Sequence, residues 1–102
     1  MELREIQKVV DEWVKQNNGY WKPNNIILRL MEETGELARE INHKYGEKPA
    51  KPDEKEGDIG QEAADVFFTL MCLLNSLDID LEDKFKKVME KYSIRDKNRH
   101  SI

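Results

Sequence analysis

The sequence predicts an all-α protein, a four-helix bundle followed by a basic C-terminal tail, and three observations carry that prediction. Apolar residues recur at three- and four-residue intervals through four separate stretches, the spacing of a helix face. Helix start and stop residues fall between those stretches. No stretch alternates polar and apolar residues with the period of two that a half-buried strand requires.

The first helix is expected from about residue 2 to 17. Leu3, Ile6, Val10, Trp13 and Val14 form its stripe, and Asn17-Asn18-Gly19 supplies the stop. The connector holds two adjacent aromatics, Tyr20 and Trp21, before Pro23. They either cover the end of the bundle or stack on a flat ligand such as a nucleobase. A long second helix is expected from about Asn25 to Tyr45, ending at Gly46, with Ile27, Leu30, Thr34, Leu37, Ile41 and Tyr45 on its inner stripe. Ile26, Met31 and Ala38 widen that stripe. Gly35, unfavourable inside a helix by about 1 kcal/mol, suggests close approach by another backbone or a ligand.

Glu47 to Gly57, with Pro49 and Pro52 among alternating charges, reads as a polar loop. Asp58 and Gln61 resemble a capping box opening a third helix that runs to about Leu77. That helix is apolar nearly all round, which predicts burial on both sides, within the bundle or against another subunit. Asp80 caps the last helix, whose inner face carries Leu81, Phe85, Val88, Met89 and Tyr92.

At 102 residues the chain reads as one domain, with its tail at 94–102. A chain this short buries a modest core, so assembly into a dimer or tetramer would add to it. Its composition, 38% hydrophobic and 37% charged, fits a soluble helical protein. No apolar run approaches the roughly 18 residues of a membrane span, and no signal-peptide core opens the chain. The single Cys72 lies in an apolar run, a buried thiol rather than part of a disulfide framework. These features point to the cytoplasm. Residues 84–102 hold seven basic and two acidic side chains, a balance of +5; with a total of −4, the remainder carries −9. An acidic body with a basic tail argues against binding a nucleic acid polymer. It suits a small polyanion that brings metal to the acids and its remaining charge to the tail.

Two acidic clusters organise the chemistry: Glu32-Glu33-Thr34-Gly35-Glu36 in the second helix and Glu62-Ala63-Ala64-Asp65 in the third. Residues at i and i+3 sit about 60° apart on a helix, so Glu33 with Glu36, and Glu62 with Asp65, each form a pair on one side. Both pairs flank a core stripe, whereas Glu32 turns to solvent. Each pair alone would ordinarily be a solvated face. Two such pairs on helices that pack antiparallel can face each other. Carboxylates so close repel unless a cation sits among them, and an all-oxygen cluster suits Mg²⁺ or Mn²⁺ better than zinc or copper. A di-iron bundle would need Glu-x-x-His on two helices, and neither His43 nor His100 follows a Glu by three. No P-loop, nucleophile elbow or metalloprotease histidine pair is present. Mg²⁺ chemistry on a phosphate ligand is the reading that survives.

Glu32-Glu33-x-x-Glu36, a gap of 25 residues, then Glu62-x-x-Asp65 resembles the signature of the MazG-like, all-α nucleoside triphosphate pyrophosphohydrolases. The similarity continues through Glu33-Thr34-Gly35-Glu36-Leu37-Ala38, Glu62-Ala63-Ala64-Asp65-Val66, Leu74-Asn75 and Ile79-Asp80-Leu81 to Lys91-Tyr92 and Arg95-Asp96. The resemblance implies a helical dimer or tetramer that hydrolyses an NTP or dNTP to the monophosphate and pyrophosphate with Mg²⁺. By motif match Glu33, Glu36, Glu62 and Asp65 would be the metal ligands. Glu36 is the candidate for activating water, although the pattern does not choose among the four. Lys91 and Arg95, and more weakly Arg99, would offset the charge of the leaving pyrophosphate, Asn75 could bond a ligand or a neighbouring backbone, and Trp21 could complete a base pocket. Two other classes stay open: a non-enzymatic helical module that binds nucleotide or assembles, and a related hydrolase acting on another pyrophosphate-containing metabolite.

Overall fold

A computed structural model describes residues 1–47 and 57–95. They form four helices and no strand: α1 (Leu3–Gln16), α2 (Pro23–Tyr45), α3 (Ile59–Ser76) and α4 (Leu81–Arg95). The polar loop between α2 and α3 and the tail beyond Arg95, Arg99 included, lie outside the described residues.

Local chemistry sets the helix ends. The amide of Gly19 donates to the Val14 carbonyl at 2.9 Å, closing α1 with Asn18 and Gly19 both left-handed at φ 79° and 78°. Glycine takes that conformation without steric cost and asparagine tolerates it. α2 begins at Pro23, two residues before the expected start, because proline fits the first helical position, where its missing N–H is no loss. Asp58 caps α3 as expected, its carboxylate accepting from the Gln61 amide at 3.1 Å. Asp78, left-handed at φ 55°, turns the chain from α3 into α4.

α3 is the central element, packed most extensively against α2 and also against α1. Val10, Val14 and the fully buried Met71 make the core, with Ile6, Tyr20, Leu70, Cys72, Leu74 and Leu81 packed around it. From α2, Ile26 and Leu30 are buried beside Glu33. A second tie is polar. The buried Gln7 side chain donates to Asn75 Oδ1 at 3.0 Å and to the Ile79 carbonyl at 2.9 Å, and it accepts from the Leu81 amide at 2.7 Å. One amide thus pins the α3–α4 turn to α1.

The expected inner faces of α2 and α4 are only partly covered. Ile27, Met31, Ile41 and Tyr45 are exposed on α2, as are Phe85, Val88 and Met89 on α4, which has no buried residue and packs mainly against α1. A Cβ on Gly35 would meet nothing within 4 Å, so no part of the described chain makes the close approach expected there. Leu28, Met31, Gly35, Ala38, Asn42 and Tyr45 instead form one solvent-facing seam at alternating spacings of three and four. α3 too is less enclosed than expected, with Phe67, Phe68 and Leu77 reaching solvent. The radius of gyration, 16.7 Å, exceeds the roughly 13 Å of a compact domain of this length. On α2 the buried face runs through Ile26, Leu30 and Glu33, so Ile27, Thr34, Ile41 and Tyr45 of the expected stripe turn outward: periodicity marks a helix but fixes its rotation only to about one residue.

Candidate active site

The antiparallel α2–α3 packing brings Glu33 opposite Glu62 and Asp65. One carboxylate oxygen from each lies within 4.8 Å of the others, an arrangement that could hold a metal ion. Glu33 is 4% exposed, which is costly for a carboxylate, and Arg29 one turn earlier meets it at 2.8 Å from Nη2 to Oε1. Burial raises the proton affinity of Glu33, Arg29 works against that, and the charges of Glu36, Asp65 and Glu32 add to it. Glu62 is half-buried, and its Oε2 is shielded from solvent with no hydrogen-bond partner. Burial likewise raises its pKa, reinforced by Glu36, Asp65 and Glu33 and by a hydrogen bond with the Glu36 side chain. The cluster therefore sets three carboxylates beside the single charge of Arg29, which is paired with Glu33.

Glu36 stands at the rim: exposed, and coupled to Glu62 rather than joined to the group of three. Glu32 is exposed on the outside, its contact with Arg29 a looser 3.4 Å. Next to the acids opens a cavity of about 390 Å³, with Glu33, Asp65 and Arg29 at one end and Trp13, Trp21 and Phe68 in its wall. Trp13 and Phe68 meet edge to face, with centroids 5.8 Å apart. Trp21 lines this cavity with two of the acids and also lines an open groove at Asn75.

The other expected substrate residues fall elsewhere. Asn75 exchanges hydrogen bonds with Gln7 and faces a separate, more open groove of about 690 Å³ lined by Arg4, Asp11 and Asp80. That groove is larger, but the converging carboxylates stand at the smaller cavity, which is where chemistry is expected. Lys91 and Arg95 lie on α4, and neither lines the cavity. Lys91 instead sits over the ring of its neighbour Tyr92, at 5.1 Å. Three residues absent from the sequence expectation belong to the site: Arg29, Trp13 and Phe68. Arg29 had a visible signal, because a cation four residues before Glu33 shares its helix face. Trp13 falls on the apolar stripe of α1, and only the packing shows that it meets Phe68.

Acids converging from two antiparallel helices beside an aromatic-walled cavity give this all-helical fold a site that could hold a metal ion. The model of the MazG nucleotide pyrophosphohydrolase domain matches residues 22–100. The chain belongs to that family, which places it among the hydrolases rather than the non-enzymatic modules. It is 49% identical over 98 residues to YpjD of Bacillus subtilis, a protein itself uncharacterised, covering 95% of this chain and 88% of that one. The crystal structure of YpjD superposes with a TM-score of 0.81 at 47% identity, covering 90% of this chain and 95% of that one. The crystal structure of the Bacillus-conserved MazG protein, a nucleotide pyrophosphohydrolase, superposes at 0.78 with 43% identity over 97% of each chain. No helix among the described residues is long and apolar enough to cross a membrane.

Proposed function

We propose that this chain is a Mg²⁺-dependent pyrophosphohydrolase of nucleoside triphosphates, ribo- or deoxyribo-, releasing the monophosphate and pyrophosphate. The observation that carries the reading is the shielded, unpartnered Glu62 Oε2 converging with Glu33 and Asp65. An all-oxygen donor set with spare lone pairs fits a hard divalent ion, Mg²⁺ or Mn²⁺. Bound there, the ion would neutralise phosphate charge and lower the pKa of a water. Glu33, Glu62 and Asp65 are the residues that would hold it, with Glu36 completing the set from the rim.

In the reaction, the water oxygen bonds to the α-phosphorus and the bridge from that phosphorus to the β-phosphate oxygen breaks. The electron pair leaves with pyrophosphate. Glu36, exposed at the rim beside Glu62, is our candidate to take the proton of the water. Trp21, Trp13 and Phe68 would seat the base, since aromatic faces stack on any nucleobase. Lys91 and Arg95 do not line the cavity, so a role for them on the phosphates calls for α4 of a second copy. The uncovered seam on α2 and the apolar face of α4 support such a homo-oligomer.

The test is pyrophosphate release from a panel of NTPs, dNTPs and modified nucleotides, with Mg²⁺ and with EDTA. Metal-dependent pyrophosphate with monophosphate as co-product supports the reading and begins to rank the bases. Orthophosphate as the product, or equal release in EDTA, overturns it.

A further inference from the structure

We infer that Arg29 is the residue that grips the α-phosphate, the one phosphate that stays with the nucleoside when pyrophosphate leaves. The inference rests on the pyrophosphohydrolase reading above and adds to it the cation that the acidic cluster alone does not provide. Of the residues lining the cavity beside Glu33 and Asp65, Arg29 is the one with a cationic side chain.

Its position along the cavity picks out the phosphate it meets. From the start of α2 toward its middle stand Trp21, Ile26, Arg29 and Glu33; on α3, running the other way, stand Cys72, Phe68 and Asp65. The Arg29 backbone stands one turn, about 6 Å of helix rise, before Glu33 on the aromatic side, and its guanidinium reaches the Glu33 carboxylate at 2.8 Å. A nucleotide with its base among the aromatics and its phosphates toward the acids brings the α-phosphate, the one next to the sugar, to the guanidinium beside Glu33.

The guanidinium has donors to offer. A guanidinium carries five N–H groups, of which Nη2 holds Glu33 at 2.8 Å and Nη1 reaches Glu32 at only 3.4 Å. Glu32 and Arg29 keep 65% and 51% of their side chains in solvent, so that second pair contributes little and is readily given up. Glu33, with 6% of its side chain exposed, is the partner Arg29 keeps. Nη1 and Nε are then the donors for a phosphate oxygen, and a planar fork suits that geometry.

The experiment measures equilibrium binding of a nucleoside monophosphate and of pyrophosphate to the wild type, Arg29→Met and Arg29→Lys, all in Mg²⁺. Binding of Mn²⁺ alone is followed by EPR and helicity by circular dichroism. The expected result is a loss of at least about tenfold in monophosphate affinity for Arg29→Met, partly restored in Arg29→Lys, as for one charge-assisted hydrogen bond. Arg29→Met also takes the Nη2 contact from Glu33, so Mn²⁺ and pyrophosphate affinities serve as the control for that loss, and the monophosphate loss is expected to exceed both. Unchanged monophosphate affinity in a folded Arg29→Met protein overturns the assignment. So does a parallel loss of Mn²⁺ and monophosphate, which would make Arg29 only the holder of Glu33. A wild type that binds no monophosphate and releases no pyrophosphate removes the reaction itself, a failure distinct from turnover that survives loss of the arginine.

Discussion

Replacing Gln7 by Leu tests whether the polar tie between α1 and the α3–α4 turn holds the chain together. The substitution nearly conserves volume and removes three side-chain hydrogen bonds, to Asn75 Oδ1, the Ile79 carbonyl and the Leu81 amide, at 3.0, 2.9 and 2.7 Å. Each such bond contributes about 1 kcal/mol net, and an orphaned buried group costs about 1–3 kcal/mol. Gln7 is 7% exposed, but its partners are only half-buried, so water recovers part of that penalty. The loss comes to about 3 kcal/mol, a large share of the 5–15 kcal/mol typical of a domain. For a chain near 100 residues that lowers Tm by about 12–20 °C. Thermal melts by circular dichroism at fixed protein concentration check it, since assembly makes Tm depend on concentration. Turnover per folded molecule should hold, because Gln7 touches none of Glu33, Glu62 and Asp65. A drop below about 3 °C would refute the reasoning and leave the network ornamental.

Three further outcomes are expected. Asp65→Ala should keep its helicity while losing at least about 10³ in turnover and any stabilisation by Mg²⁺, as measured by pyrophosphate release and melts; near-wild-type turnover would end the acidic-site reading. Trp21→Ala should raise KM by about tenfold with little change in kcat, the worth of one base stacked on an aromatic ring, and an unmoved KM assigns Trp21 to covering the bundle end. In EDTA the protein should lose stability as pH rises above about 4.5. Glu33 and Glu62 have raised pKa values, so the folded state there binds more protons than the unfolded chain. Asp11 and Asp80, held low by Lys15 and Tyr20 and by Arg4, act the other way, and their stabilisation fades as pH falls through and below about 3.8. Tm against pH with EDTA and with Mg²⁺ reads both limbs, and a Tm climbing steadily from pH 4.5 to 8 in EDTA contradicts the sign.

What the sequence made legible was whatever depends on neighbours in the chain. Asn18-Gly19 ends α1 and Asp58 caps α3 through contacts within three to five residues, so both could be read directly. The convergence of Glu33 with Glu62 and Asp65 was legible too, because i, i+3 spacing fixes a helix face and antiparallel packing is the simplest return. Partners across long separations were not. Asn75 looked equally able to meet a ligand or a backbone; its partner, Gln7, is 68 residues away on another helix. A wheel likewise marks Phe85 and Met89 as one apolar face but cannot say whether anything in the same chain covers it, and here they stay exposed. Lys91 and Arg95 look close to the acids only if α4 folds over α3, and α4 packs mainly against α1 instead.

The placement of the acids at the best-packed seam has a consequence for how the site works. Ile26 and Leu30 on α2 and Thr69 and Met71 on α3 are buried about one or two turns from the carboxylates, so the two backbones cannot easily part to relieve repulsion. The charge must be dealt with locally. Glu33 has Arg29, whereas the shielded Oε2 of Glu62 has no hydrogen-bond partner and burial raises the proton affinity of that carboxyl. A proton on Glu62 and a divalent ion would compete for the same oxygens. Metal affinity would then fall as pH falls into the raised range of Glu62, and metal uptake would release a proton.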